Sequence, residues 1–179
     1  MILGVGCDII RVARVARAAE KEHFLTRVYT PAERAYAMQR GAGCAASLAA
    51  RFAGKEAVLK ATGHGLSVVP SLVRVQLTDG LLDALELAMN EEAPSDLLDG
   101  GTPEPTALRV LTQDSLTAQA TFNAPQGGNQ GGEAAERSFS LQWVPVALPD
   151  AENPEHAQKM LIALAVENPA EGDPAQLEV

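Results

Sequence analysis

The sequence predicts an α+β protein on three observations: a period-two strand opens the chain, helical patterns fill most of residues 12–61, and short alternating runs recur beyond residue 68. Its 179 residues are the length of one domain, or of one domain with an appendage. An apolar content of 46% is enough for a core, which excludes a wholly disordered or collagen-like chain.

Residues 1–10 alternate, with Leu3, Val5, Cys7 and Ile9 on one side and Ile2, Gly4, Gly6, Asp8 and Ile10 on the other. Asp8 shares its face with two glycines, which predicts open space where a ligand or ion approaches the backbone. The competing reading has Asp8 ending the strand and capping the helix that follows. That helix is expected from Val12 to about Phe24, with Val12, Val15 and Ala19 inward and Arg11, Arg14, Arg17 and Lys21 as a basic stripe.

Thr30-Pro31-Ala32-Glu33 reads as an N-cap, a proline at the first helical position and a capping-box glutamate, opening a helix through about Arg40. Beyond the Gly41/Gly43 break, Cys44 to Ala61 is alanine-rich and helical and offers Leu48, Phe52 and Leu59 to the core. It ends at Thr62-Gly63-His64-Gly65, where Gly63 can take the left-handed cap. Glu56 and Lys60 stand four apart on it, as do Arg51 and Lys55, the spacing of ordinary surface ion pairs.

Val68 to Leu77 is β-rich, Thr78-Asp79-Gly80 reads as a turn, and Leu81 to Met89 fits helix or strand. Asn90 to Thr106 is loop-like, and Leu108–Leu111 and Thr117–Phe122 flank a hairpin signal. Asn123–Glu136 holds four glycines, so a flexible linker and a domain boundary are expected there, closing a first domain at 1–122. Residues 137–179 form a C-terminal extension: Ser138–Leu148 adds a strand or packs as an arm, His156–Val166 is a short helix or strand, and the acidic tail is disordered.

The net charge of −9 conceals a split: residues 1–66 carry ten basic and five acidic residues, net +5, and residues 67–179 carry four and eighteen, net −14. An acidic protein with one basic half argues against nucleic-acid binding and for a local patch that receives a phosphate or an acidic partner. Cys7 and Cys44 are too few for a disulfide framework and have no metal-type spacing with His23, His64 and His156, which makes a reducing cytoplasm the default. The N-terminus lacks a signal peptide's basic leader, and no apolar run is long enough to span a bilayer.

The sharpest chemical constellation is Asp8 on a glycine-flanked strand, Glu56 and Lys60 on one helix face, and Gly63 and Gly65 just beyond. Two carboxylates and a lysine suit phosphate chemistry: a hard divalent cation takes carboxylate and phosphate oxygens, the lysine neutralises further charge, and glycine N–H groups cradle the rest. The spacing alone also fits a surface ion pair followed by a simple cap and turn.

Three segments sharpen the choice: Gly4-Val5-Gly6-Cys7-Asp8-Ile9-Ile10 with Arg14 six residues after the aspartate, then Arg51-Phe52-Ala53-Gly54-Lys55-Glu56-Ala57, then Lys60-Ala61-Thr62-Gly63-His64-Gly65. In order and separation they resemble the holo-acyl-carrier-protein synthase family of 4'-phosphopantetheinyl transferases. The resemblance implies a small α+β fold with an antiparallel sheet and a long helix, and a homotrimer with active sites between subunits. It implies Mg2+-dependent transfer of phosphopantetheine from coenzyme A to a serine of acyl carrier protein, with a place in fatty acid biosynthesis.

By the same resemblance Asp8 and Glu56 bind the metal, and Glu56 and Lys60 are catalytic. Lys60, Gly63, Gly65, Thr112 and Gln113 contact coenzyme A, and Arg14, Arg17 and Lys21 meet the carrier protein. Either Glu56 or a metal-bound water takes the serine proton. The likeness is strong over the first 66 residues and weaker to Phe122. Gln113 stands where the family has a histidine, His64 replaces a threonine, the expected Gly-x-Pro turn is missing from 67–106, and 123–179 has no counterpart in the minimal family. Two rivals remain: a catalytically weak homologue that only docks a carrier protein, and an unrelated hydrolase using the same carboxylates.

Overall fold

The computed structural model describes residues 3–64, 70–90, 109–112, 114–123, 136–148 and 158–169. Strand β1 (Val5–Arg11) runs directly into α1 (Val12–Ala19), followed by α2 (Glu22–Val28), α3 (Pro31–Gln39), a 3-10 turn at 41–43 and the 18-residue α4 (Cys44–Ala61). A second 3-10 turn at 70–72 precedes β2 (Val73–Gln76) and α5 (Asp79–Asn90). Then come β3 (Arg109–Val110), β4 (Leu116–Asn123), β5 (Glu136–Leu148) and β6 (Gln158–Glu167). All strands join one antiparallel sheet in the order β1-β6-β5-β4-β2, with β3 also on β5. The α+β class is as the sequence predicts.

α4 lies across one face of this sheet and carries a ridge of small residues, with Ala50, Ala53, Gly54 and Ala57 buried along it. The sheet answers with Gly6 on β1 and Ala163 and Ala165 on β6. The approach is so close that a Cβ on Gly6 would stand 1.9 Å from the Ala57 carbonyl oxygen, and one on Gly4 2.5 Å from that of Ala61. The sequence predicts open space for a ligand at the glycines beside Asp8, and the structure differs: the backbone of α4 fills it. Further along, Trp143 of β5 is buried against Gly54 and donates its indole N–H to the Ala50 carbonyl at 3.0 Å. That bond satisfies a polar group the core would otherwise strand.

The helical layer departs from expectation at one point. The stretch read as one helix from Val12 to about Phe24 is two, because Lys21 is extended (φ −97, ψ 116) between α1 and α2. The bend lets Val15 of α1 and Leu25 and Val28 of α2 all reach the core, which one straight helix would not allow. α3 has the capping box its sequence announces, Thr30 Oγ1 accepting from Glu33 N–H and Glu33 from Thr30 N–H at 2.9 Å. Thr78-Asp79-Gly80 is the start of a helix rather than a free turn: Thr78 Oγ1 accepts from Leu81 N–H at 3.2 Å, and α5 buries Leu81, Leu82, Leu85, Ala88 and Met89. Arg40 fastens α5 to α3 through Glu86 and Asp83, both at 2.6 Å.

The second half of the chain departs more. β3 and β4 are not a hairpin; both pair with β5, Val110 opposite Val146 and Leu116 opposite Trp143, as one interrupted strand along a common neighbour. Of the expected strand at 68–77 only 73–76 is strand, and 65–69 lie outside the described residues. The boundary drawn at 123–136 does not separate two bodies. β5 and β6 are the inner strands of the sheet, β6 is the partner of β1, and Phe139, Leu141, Trp143, Leu161, Ala163 and Ala165 belong to the same core as α4. The glycine-rich residues 124–135 and the tail from 170 lie outside the described residues. The alternation of Ser138–Leu148 is weak because the outward positions mix polar Ser140 and Gln142 with apolar Val144, and Pro145 to Ala147 are buried in succession.

Two predictions follow from this packing. A chain ending at Phe122 loses two inner strands, β5 and β6, the second of which is the partner of β1, so it is expected to be insoluble or to lack cooperative unfolding by circular dichroism; a soluble, cooperatively folding fragment would contradict the topology. Gly6→Ala is expected to cost about 2 kcal/mol or more in urea unfolding, because backbone on both sides of the contact must shift.

Candidate active site

The close approach of β1 to α4 determines what faces what. Asp8 lies two residues from Gly6 on the covered face of β1, and Glu56 and Lys60 occupy successive turns of α4 beside it. Lys60 Nζ donates to Asp8 Oδ1 at 2.7 Å and to the Cys7 carbonyl at 3.0 Å. Glu56 is buried and its Oε1 has no hydrogen-bond partner among the described residues. Burial first, and then the neighbouring Asp8 carboxylate, push the Glu56 carboxyl above the usual carboxylate range, while Lys60 pulls it partly back. An unpartnered buried oxygen facing a second carboxylate is electrostatically incomplete, and a cation taking hard oxygen ligands completes it.

A cleft of about 430 Å3 opens at this cluster, lined by Asp8, Glu56, Lys60, Arg14, Phe24 and Phe52 among others. The two phenylalanines stack with ring centroids 5.8 Å apart and give the cleft an apolar wall beside its charged one. Two carboxylates, two cations and an aromatic wall suit a phosphate-bearing organic ligand.

The remaining sequence-predicted residues are distributed unevenly. Arg14 lines the cleft, but Arg17 does not, and Lys21 forms the extended junction between α1 and α2. Gly63 adopts the left-handed conformation (φ 74) and closes α4 with two bonds, Gly63 N–H to the Lys60 carbonyl and His64 N–H to that of Leu59, both at 3.1 Å. The His64 ring meets Phe122 edge-on at 5.3 Å between centroids. Gly65 and Gln113 lie outside the described residues. Thr112 follows β3, which is separated from β1 by β5 and β6, so the chain does not bring Thr112 to the cleft.

Four-residue spacing predicts Arg51 and Lys55 on the surface of α4, and the structure buries both. Lys55 Nζ donates to Glu33 at 2.6 Å and to the Val28 carbonyl at 2.9 Å, so the capping glutamate of α3 also neutralises a lysine inside the protein. Burial lowers the Lys55 pKa and Glu33 works against that shift. This pair locks α2, α3 and α4 together and so sets the position of Phe24 and Phe52 at the cleft. The capping motif was the one local signal of it; four-residue spacing does not reveal which side of a helix is covered.

An α+β chain with a carboxylate–lysine cleft between its first strand and its long helix is what the geometry defines. The model of the 4'-phosphopantetheinyl transferase superfamily matches residues 4–112, and the chain belongs to that superfamily. The holo-[acyl-carrier-protein] synthase of Rhodopseudomonas palustris (strain BisA53) is 51% identical over 71 residues, which are 37% of this chain and 51% of that protein. That of Gluconobacter oxydans (strain 621H) is 39% identical over 122 residues, 66% of this chain and 71% of that protein. The chain thus spans about half the length of the first relative and more of the second. The crystal structure of holo-[acyl-carrier-protein] synthase from Neisseria meningitidis matches with a TM-score of 0.44 and 18% identity, covering 94% of this chain and all of that one.

The electrostatics of Glu56 make a pH prediction. A carboxyl raised in the folded state favours folding below its ordinary value of 4.5 and loses that contribution as pH rises through the raised value. Stability of the metal-free protein is therefore expected to fall across the range above 4.5, and Glu56→Gln to flatten that fall. Urea unfolding in EDTA at several pH values measures it; parallel profiles for the two proteins would count against a strained Glu56.

Proposed function

We propose that this protein transfers the 4'-phosphopantetheine arm of coenzyme A to a serine hydroxyl of an acyl carrier protein, converting the apo to the holo carrier for fatty acid biosynthesis and releasing adenosine 3',5'-bisphosphate. The observation that carries the reading is the unpartnered Glu56 Oε1 facing Asp8 and Lys60 in a protein of this superfamily. A module that only docked a carrier would have no use for a buried carboxylate held at such a cost.

Asp8 and Glu56 are the residues that would hold Mg2+, and their donor set of carboxylate oxygens fits it. Once bound, the ion supplies positive charge to the pyrophosphate oxygens as the phosphoanhydride breaks. Lys60, half-exposed at the cleft, is the group that meets a further pyrophosphate oxygen, and its hydrogen bond to Asp8 keeps it aimed there. Gly63 sets the turn beyond Lys60 and belongs with Gly65 to the loop proposed for coenzyme A. The serine belongs to the carrier, and its hydroxyl proton has carboxylate oxygens of the cleft within reach as acceptors. Arg14, at the cleft mouth, and Arg17 and Lys21 beyond it receive the acidic face of the carrier.

A homotrimer agrees with the uncovered side of the sheet, where Val5, Ile9 and Leu164 are 50%, 50% and 38% exposed on neighbouring strands. It also gives Thr112 and Gln113 a role, since a Thr112 remote from its own cleft is available to a neighbour's. No helix among the described residues is long and apolar enough to cross a membrane, consistent with action in the cytoplasm.

The test is intact-mass analysis of an apo carrier protein incubated with this protein, coenzyme A and Mg2+, beside an EDTA control. A gain of one phosphopantetheine arm, seen only with metal, is the expected result; Glu56→Gln is expected to reduce its rate by about 10²-fold to 10³-fold. Carrier binding without a mass gain would establish the docking homologue instead, and release of free phosphopantetheine without a carrier would indicate a hydrolase.

A further inference from the structure

The two carboxylates of the cleft share one lysine unequally. Lys60 Nζ donates to Asp8 Oδ1 at 2.7 Å, while Glu56 Oε1, a turn earlier on α4, has no hydrogen-bond partner among the described residues. The Lys60 ammonium therefore does for Asp8 what a bound cation would do, and leaves Glu56 unmatched. The members of this cluster also differ in freedom. Glu56 is buried, and the Asp8 side chain is 13% exposed on a strand whose register is fixed by β6, with Asp8 opposite Ala163. The Lys60 side chain is 47% exposed and lines the open cleft at the end of a four-carbon stem. Lys60 holds a second acceptor, the Cys7 carbonyl at 3.0 Å on the edge strand of the sheet. That oxygen is neutral and fixed in the backbone, so the ammonium keeps an anchor when it lets go of Asp8.

We infer that Lys60 is the resident counter-ion of Asp8, which yields Oδ1 to the divalent cation, pivots on the Cys7 carbonyl and is handed to the pyrophosphate of coenzyme A, so that metal and coenzyme A bind in a coupled order. The inference rests on the transferase reading, with Asp8 and Glu56 as the carboxylates of the metal. Charge decides the exchange. A single ammonium sits on one carboxylate of the two, whereas a doubly charged ion with a preference for hard oxygen meets both and completes Glu56 Oε1 as well. Once displaced, Lys60 stands beside a cation and has lost its anion, an arrangement that is repulsive until another anion arrives. Coenzyme A brings that anion, so the ammonium that opposes the metal when the cleft is empty favours it when the pyrophosphate is present. The coupling is reciprocal, each ligand raising the affinity for the other by the same factor. An ammonium suits this part better than a guanidinium would, because its three donors rotate freely and require no planar, two-pronged partner.

Side-chain 1H–15N NMR of the full chain tests this, with the Lys60 ammonium assigned from Lys60→Arg and observed in EDTA, in saturating Mg2+, and in Mg2+ with coenzyme A. Calorimetry of Mg2+ binding to the wild type, Glu56→Gln and Lys60→Met accompanies it. The Lys60 ammonium is expected to be ordered in EDTA, to gain mobility with Mg2+ alone and to be ordered again by coenzyme A. Lys60→Met, where no ammonium has to leave, is expected to bind Mg2+ alone about tenfold more tightly and to gain less from coenzyme A than the wild type does. A Lys60 ammonium that stays equally ordered when Mg2+ saturates the protein would overturn the inference, and so would a Lys60→Met protein whose Mg2+ affinity gains as much from coenzyme A as that of the wild type. Mg2+ binding unaltered by Glu56→Gln would take the metal away from these carboxylates and overturn it as well. The intact-mass assay separates the two readings. Transfer by a protein whose Lys60 stays on Asp8 removes this inference alone; a Lys60 released by Mg2+ in a protein that transfers nothing removes the transferase reading and leaves the exchange in place.

Discussion

The approach of α4 to the sheet is the constraint on which the rest depends. Gly6 sits where any side chain would strike the Ala57 carbonyl, and Gly54, further along the same face of the helix, leaves room for the Trp143 ring. Small residues on both surfaces let a helix and a strand meet at backbone distance, and that distance puts the end of a four-carbon lysine chain from α4 onto a carboxylate of β1. A wider spacing would leave Asp8 and Glu56 as two separate surface acids. The chemistry of the site is therefore a consequence of packing between residues that have no chemistry of their own.

α4 carries charged groups on opposite sides, and each is satisfied differently. Lys55 is sunk in the protein and matched by Glu33 and a backbone carbonyl, a closed arrangement that orders three helices. Glu56, the next residue, is buried and left incomplete. Adjacent residues on a helix point about 100° apart, so one faces the helical layer and the other the cleft. The closed pair contributes rigidity and the open one contributes reactivity, and the rigidity of the first holds the second where burial keeps it unmatched.

Local signals in the sequence were faithful wherever the structure is decided locally. The capping box at Thr30 and Glu33, the left-handed Gly63 and the limits of α4 all depend on residues within one or two turns of each other, and each is where the sequence places it. Asp8, Glu56 and Lys60 were legible as a kit, and the structure assembles them. What misled was context. The glycines at 4 and 6 announce a close approach but not whether a ligand or a helix makes it. The glycine-rich stretch before residue 136 has the composition of an interdomain linker, yet it joins two strands paired along their full eight-residue register, from Leu116–Trp143 to Asn123–Glu136. Sheet order is a long-range property, and no local window reveals that β6 inserts between β5 and β1.

That insertion changes what the C-terminal third means for the site. As an appendage, residues 137–179 would be free to vary without touching the chemistry. As inner strands they bear on it: Ala163 pairs with Asp8 across the β1–β6 ladder and fixes the height of the carboxylate. A slip of β6 by one residue would turn Ala163 and Ala165 away from α4 and bring larger side chains under the helix beside Asp8. The small residues of β6 therefore keep α4 at the distance from the sheet at which Asp8, Glu56 and Lys60 meet, so the C-terminal strands support the cleft although none of their side chains lines it among the described residues.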